Sequence, residues 1–66
     1  MQIGTQIEII EINEIWEITN ITIIGINSLK PSVEIELKNN DTQTITRMTL
    51  NSIKETIDDG SAQIIK

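Results

Sequence analysis

The run IEIIEINEIWEITNITIIGI, residues 7–26, decides how this chain folds. Ten of its twenty residues are isoleucine, and its glutamates recur at every third position: Glu8, Glu11, Glu14 and Glu17. No regular element repeats that way, since a helix turns every ~3.6 residues and a strand alternates faces residue by residue. Wound as a helix, these glutamates smear over roughly half the circumference, the isoleucines spread with them, and no apolar stripe results. Isoleucine is β-branched, stiff and strand-favouring. Read as one continuous strand, however, the glutamates fall on alternate faces and neither face is clean. The pattern resolves only if the strand is broken.

The residues say where. Ile7 and Ile9 share one face and Ile10 and Ile12 the other, which predicts a bulge near Ile9–Ile10. Asn13–Glu14 reads as a tight turn, because Asn tolerates positive φ. Trp16 and Ile18 then share a face, with Glu17 and Thr19 opposite. Parity changes again around Thr19–Asn20 and once more near Gly25. Such a ribbon is strongly bent, as in a small barrel, or it lies in a sheet covered on both faces, the second by another subunit.

Downstream the signals are plainer. NSLKPS, residues 27–32, is a loop punctuated by Pro31. VEIELK, residues 33–38, alternates cleanly: Val33, Ile35 and Leu37 on one side, Glu34, Glu36 and Lys38 on the other. Asn39–Asp41 is a hairpin turn, and TQTITRM, residues 42–48, returns as a strand. The period then becomes helical, with Leu50, Ile53 and Ile57 on one face. Thr49 is the expected N-cap and Gly60 the left-handed residue after the helix, which places it over about Leu50–Asp59. Asp58 and Asp59 oppose the dipole at its C-terminal end. SAQIIK, residues 61–66, is a last short strand. The expected architecture is one domain, residues 1–66, mainly β with one short helix. It is a small bent sheet or a five-stranded barrel of the Src-homology-3 kind, with five strands and the helix before the last.

Composition bounds the function. The net charge is −5, and all four charged side chains before residue 30 are glutamates. This argues against nonspecific nucleic-acid binding and docking on anionic membrane, both of which need clustered Lys and Arg. No basic start leads into an apolar run, and the longest uncharged stretch, Ile18–Leu29, is too short and too polar to span a bilayer, so the expected location is cytoplasmic. The chain has neither cysteine nor histidine. It therefore has no disulfide, no structural zinc of the usual ligand set, and no imidazole to activate a serine or threonine. A small domain without such staples is expected to gain stability by associating with copies of itself.

Trp16, the only aromatic residue, either fills the core beside Ile18 or offers a stacking platform to a flat ligand. Arg47, the only arginine, either pairs with a glutamate on a neighbouring strand or clamps a phosphate or carboxylate. Thr44 and Thr46 beside it supply uncharged donors and acceptors. The glutamates are a solvated face rather than an acid–base pair, and Asp41 with Asn39 and Asn40 is a turn rather than half of a calcium loop. No catalytic residue, metal site or cofactor is expected.

The layout W-E-I-T-N-I … V-E-I-E-L … R-M-T-L-N-S-I-K-E-T-I-D-D-G-S-A-Q-I-I resembles small phage and mobile-element β proteins, in which a bent sheet precedes a TL-x-x-I-x-x-x-I-x-x-G helix and a final strand. Some phage proteins of that build are oligomeric traps for nucleotide signals of bacterial immunity. The resemblance implies a non-catalytic anti-defence factor in the host cytoplasm. Read with the residues above, it would be a homo-oligomer holding a nucleotide-like ligand at a subunit boundary, and those residues themselves point to Arg47, Thr44, Thr46 and Trp16 as the contacts. The other expectation is a protein-interaction module that presents an acidic face or a strand edge to a host protein.

Overall fold

The isoleucine-rich run resolves into two strands joined by a single turn of 3₁₀ helix. The computed structural model describes residues 1–65. β1 is Gln6–Ile9, the 3₁₀ turn is Ile10–Ile12, and β2 is Glu14–Ile24. Where a bulge was expected near Ile9–Ile10, the chain leaves the sheet altogether. Asn13 then reverses it in the left-handed region at φ 52°. The glutamate spacing follows from this. Glu8 and Glu17 lie on one sheet face, Glu11 is in the turn, and Glu14 sits at the rim of the other face opposite Ile9.

β3 is Ser32–Asn39, β4 is Ile45–Thr49, α1 is Leu50–Asp58 and β5 is Ala62–Ile65. Of the expected last strand, Lys66 lies outside the described residues. The five strands form one open antiparallel sheet in the order β4-β3-β2-β1-β5. At about 3.3 Å per residue an 11-residue β2 reaches roughly 36 Å, comparable with the longest extent of the molecule, 38 Å.

The parity change expected around Thr19–Asn20 is a break in register. Ile18 faces Leu37, whereas Asn20 faces Glu36 and Ile21 faces Ile35. One extra residue in β2 returns Ile21 to the face of Ile18. The core on that face is Ile7, Ile18, Ile35, Leu37, Ile53 and Ala62, with Trp16, Val33, Met48 and Leu50 among those packed around it. Ile18 and Ile35 are essentially inaccessible to solvent. The parity change near Gly25 is the end of β2. Gly25 has φ +70°, a conformation L side chains rarely adopt, and accepts the Ser28 N–H at 2.8 Å; a Cβ there would lie 2.9 Å from Ser28 Oγ, which would have to move.

β4 begins later than the sequence indicates, at Ile45 rather than Thr42. Asn39 is the reason. Buried at the end of β3, it accepts the N–H groups of Asp41 at 2.8 Å and Thr42 at 3.1 Å through its side chain. Its backbone N–H donates to Thr44 O at 2.8 Å, and its backbone carbonyl accepts the Gln43 N–H at 2.9 Å. Residues 40–44 are thus held as a wide turn, with Gln43 at φ 64°.

Thr49 caps α1 as expected, accepting the Ser52 N–H at 3.2 Å. The helix stops at Asp58, one residue short of expectation, because Asp59 is the C-cap. Its carboxylate accepts the Ser61 N–H at 2.8 Å while Gly60, at φ +88°, turns the chain into β5. That bond gives Asp59 a local use at the unfavourable end of the dipole. No helix among the described residues is long and apolar enough to cross a membrane.

Candidate functional site

Arg47 lies opposite Glu36 in the β3–β4 ladder. Its Nη2 donates to Glu36 Oε1 at 3.2 Å, and its Nε is 3.8 Å from Glu34 Oε1. From the other side Thr19 Oγ1 donates to Glu36 Oε2 at 2.9 Å. A row of Thr19, Glu36 and Arg47 therefore crosses three strands with the Glu36 carboxylate at its centre. The Arg47 side chain is 63% exposed and that of Glu36 23%. Exposed ion pairs of this type contribute about 0.2–1 kcal/mol.

Strand alternation places the remaining sequence candidates elsewhere. Thr46 faces Leu37 and so belongs to the core side of the sheet, opposite to Arg47. Trp16 faces Ile7 and Asn39 on that same core side. It is half-buried against the core, and its Nε1–H donates to Glu14 Oε1 at 3.3 Å. Thr44 lies in the wide turn, where its hydroxyl accepts that of Thr42 at 2.8 Å. Within one chain the sheet separates Arg47 from Trp16 and Thr46, so the four residues do not converge on one ligand.

Of the two expectations for Arg47, pairing with a glutamate on a neighbouring strand is the one the geometry forms, with Glu36 and Glu34 as the partners, and Thr19 is the residue around it that the sequence did not indicate. Alternation showed that the two glutamates share a face, but only the β3–β4 register puts them beside Arg47. Thr19 reaches Glu36 because it is the extra residue of the bulge.

A recess of about 140 Å³ lies between the start of β3 and the start of α1, lined by Pro31, Ser32, Val33, Thr49, Leu50 and Asn51. Small-molecule sites are usually at least ~300 Å³, so this recess is too small for a nucleotide. It contains no charged side chain. Among the described residues no three His, Cys, Asp or Glu side chains are grouped to hold a metal ion. Glu8 instead accepts an amide proton from Gln63 at 2.7 Å. The Ser61 hydroxyl, then the Ser61 backbone N–H, hold Asp59 below its ordinary value of 3.8.

The more distinctive surface is apolar. At the far end of the β2–β3 ribbon Ile23, Ile24, Ile26 and Leu29 are all exposed, Leu29 completely. Comparison with protein-family models, with curated proteins and with solved structures finds no match to this chain.

Proposed function

We propose that this chain is a non-catalytic protein-interaction module that works in several copies and offers apolar surface and strand edge, first of all to other copies of itself. The observation that carries this reading is the balance of burial. Ten large hydrophobic side chains are exposed among the described residues, while six residues make up the buried hydrophobic core. Isolated exposed hydrophobics are ordinary, but Ile23, Ile24, Ile26 and Leu29 are gathered at one end of the β2–β3 ribbon, Ile23 and Ile24 on its two faces, and such a gathering marks a contact surface. The fold in this reading is the Src-homology-3-like meander. Four strands run up and down in sequence, β5 returns beside β1, and the mid-strand bulge bends β2. The strand order supports that assignment.

Native mass and thermal unfolding test the reading together. A multi-copy module gives a particle that is a multiple of 7.4 kDa, and its Tm rises with protein concentration because association stabilises the folded state by mass action. A concentration-independent Tm and a single-copy mass contradict it.

A second reading, the phage-type trap for a nucleotide-like signal, draws support from the 63% exposure of the Arg47 side chain. A guanidinium has five N–H donors, so donors remain beyond the two contacts to glutamate. Several copies converging on one boundary would supply the positive charge that a single chain lacks. Thermal shift against a panel of cyclic and ADP-ribose-type nucleotides tests this reading. A rise of several degrees with one of them supports it, and no rise with any favours the protein partner.

A further inference from the structure

We infer that the edge of β2 from Asn20 to Ile24 is where a second copy of this chain docks, strand against strand, about a two-fold axis. The inference rests on the multi-copy reading above and adds where the copies meet.

β1 accompanies β2 only between Glu14 and Glu17. Two further bonds extend that pairing by one residue: Ile18 N–H donates to Thr5 O at 2.9 Å, and Gly4 N–H donates to Ile18 O at 2.8 Å. The N-terminal segment then folds back, with the Thr5 N–H on Gln2 O at 3.1 Å. Past that point β2 is paired on one side alone, by β3. The direction of its unpaired groups is set by Ile21, whose N–H donates at 3.0 Å to the side-chain oxygen of Asn20 rather than to β3. Alternation along the strand turns the N–H and C=O of Ile23 the same way.

Exposed sheet edges are normally protected by lysine, proline, charge or a covering element. The edge residues Asn20, Ile21, Thr22, Ile23 and Ile24 include no charge and no proline. Among the described residues the guard is the Asn20 amide over one N–H. Ile23 and Ile24, on opposite faces, are 58% and 46% exposed. Along Asn20–Thr22 the edge bounds three strands, since Glu34, Ile35 and Glu36 of β3 also pair with β4. Ile23 and Ile24 run on with Val33 and Ser32 as a two-stranded ribbon, a unit that is marginal in water until a third strand or a packed face joins it.

Charge selects the occupant. Two copies at −5 each repel one another over most of their surfaces. Ile18–Leu29 is the longest stretch of the chain without a charged residue, so copies approach here at the least electrostatic cost. A basic partner finds no carboxylate on the edge residues themselves, and the nearest ones, Glu36 and Glu34 opposite Asn20 and Thr22 in β3, are already engaged by Arg47. A second copy brings the identical edge, and a two-fold antiparallel pairing sets each outward N–H against an outward C=O. Each ribbon then gains two strands, and Ile23 and Ile24 are covered by the corresponding side chains of the other copy.

Sedimentation velocity on the full chain, with Ile23→Pro and Ile23→Lys beside the wild type, tests the docking. Proline at Ile23 removes an outward N–H while leaving the bonds to β3, as tolerated on an edge; lysine places a charge on the edge. The wild type is expected at twice 7.4 kDa, and both variants at the single-chain mass with unchanged circular dichroism. In the associated wild type the amides of Ile21 and Ile23 should resist hydrogen exchange and lose that protection on dilution. This measurement reports on the edge even if a variant fails to fold. A wild-type multimer that both folded variants retain, or rapid exchange at both amides within it, overturns the docking alone. A single-copy wild type overturns the multi-copy reading as well.

Discussion

Ile18 and Ile21, three positions apart in β2, face the same core, while their partners Leu37 and Ile35 are two positions apart in β3. The difference is the bulge at Thr19–Asn20, and it keeps two isoleucines three positions apart on one side of a sheet. Ile18 is inaccessible to solvent. Ile18→Ala should therefore cost ~2–5 kcal/mol and Ile18→Val ~0.5–1.5 kcal/mol in denaturant unfolding. A cost for Ile18→Ala near that of an exposed site such as Ile26→Ala would place Ile18 outside the core.

Asn39 is the one buried polar residue among the described residues, and its side chain organises the turn before β4. Asn39→Ala leaves the Asp41 and Thr42 amides without that acceptor. The expected loss is about 1–3 kcal/mol. Asn40→Ala, on the exposed neighbour, should stay within ~0.5 kcal/mol of wild type. Equal effects at the two positions would remove Asn39 from that role.

Arg47→Ala breaks two exposed ion pairs, at Glu34 and Glu36. The stability change should be below ~1 kcal/mol and should shrink with added salt. Native mass should not change, because Arg47 lies away from the β2 edge. If a nucleotide does bind, the same variant should abolish the thermal shift; an undiminished shift would take Arg47 out of the site.

Asp59 gives a pH dependence of known sign. Its folded value is lowered, so its stabilising contribution is complete above about 3.8 and fades as pH falls through the folded value. Asp59→Asn should flatten the acid limb of a Tm-against-pH curve in that window, and a carboxyl titration followed by NMR should place Asp59 below 3.8. An unshifted titration would mean that the Ser61 bonds do not form in solution.

Much of the fold was legible in local signals. Alternation at Val33–Lys38, the helical spacing of Leu50, Ile53 and Ile57, the Thr49 cap, the turn at Asn13 and the parity change at Thr19–Asn20 each follow from chemistry within a few residues. The late start of β4 was not legible, since it depends on the Asn39 side chain reaching forward to two backbone amides in place of strand pairing. The candidate site was legible only as residue types. Arg47 stood out by being unique, yet its partners Glu34 and Glu36 lie on another strand, and register cannot be read from either strand alone. Its separation from Trp16 and Thr46 is a matter of which face each occupies, which register also fixes.

The most direct test of the account is the native mass of the wild-type particle at micromolar concentration, by native mass spectrometry or sedimentation. The exposed isoleucines and the open edge of β2 predict a multiple of 7.4 kDa that falls apart on dilution. A stably folded particle of 7.4 kDa at that concentration, with Ile23 and Ile24 left in water, would contradict it.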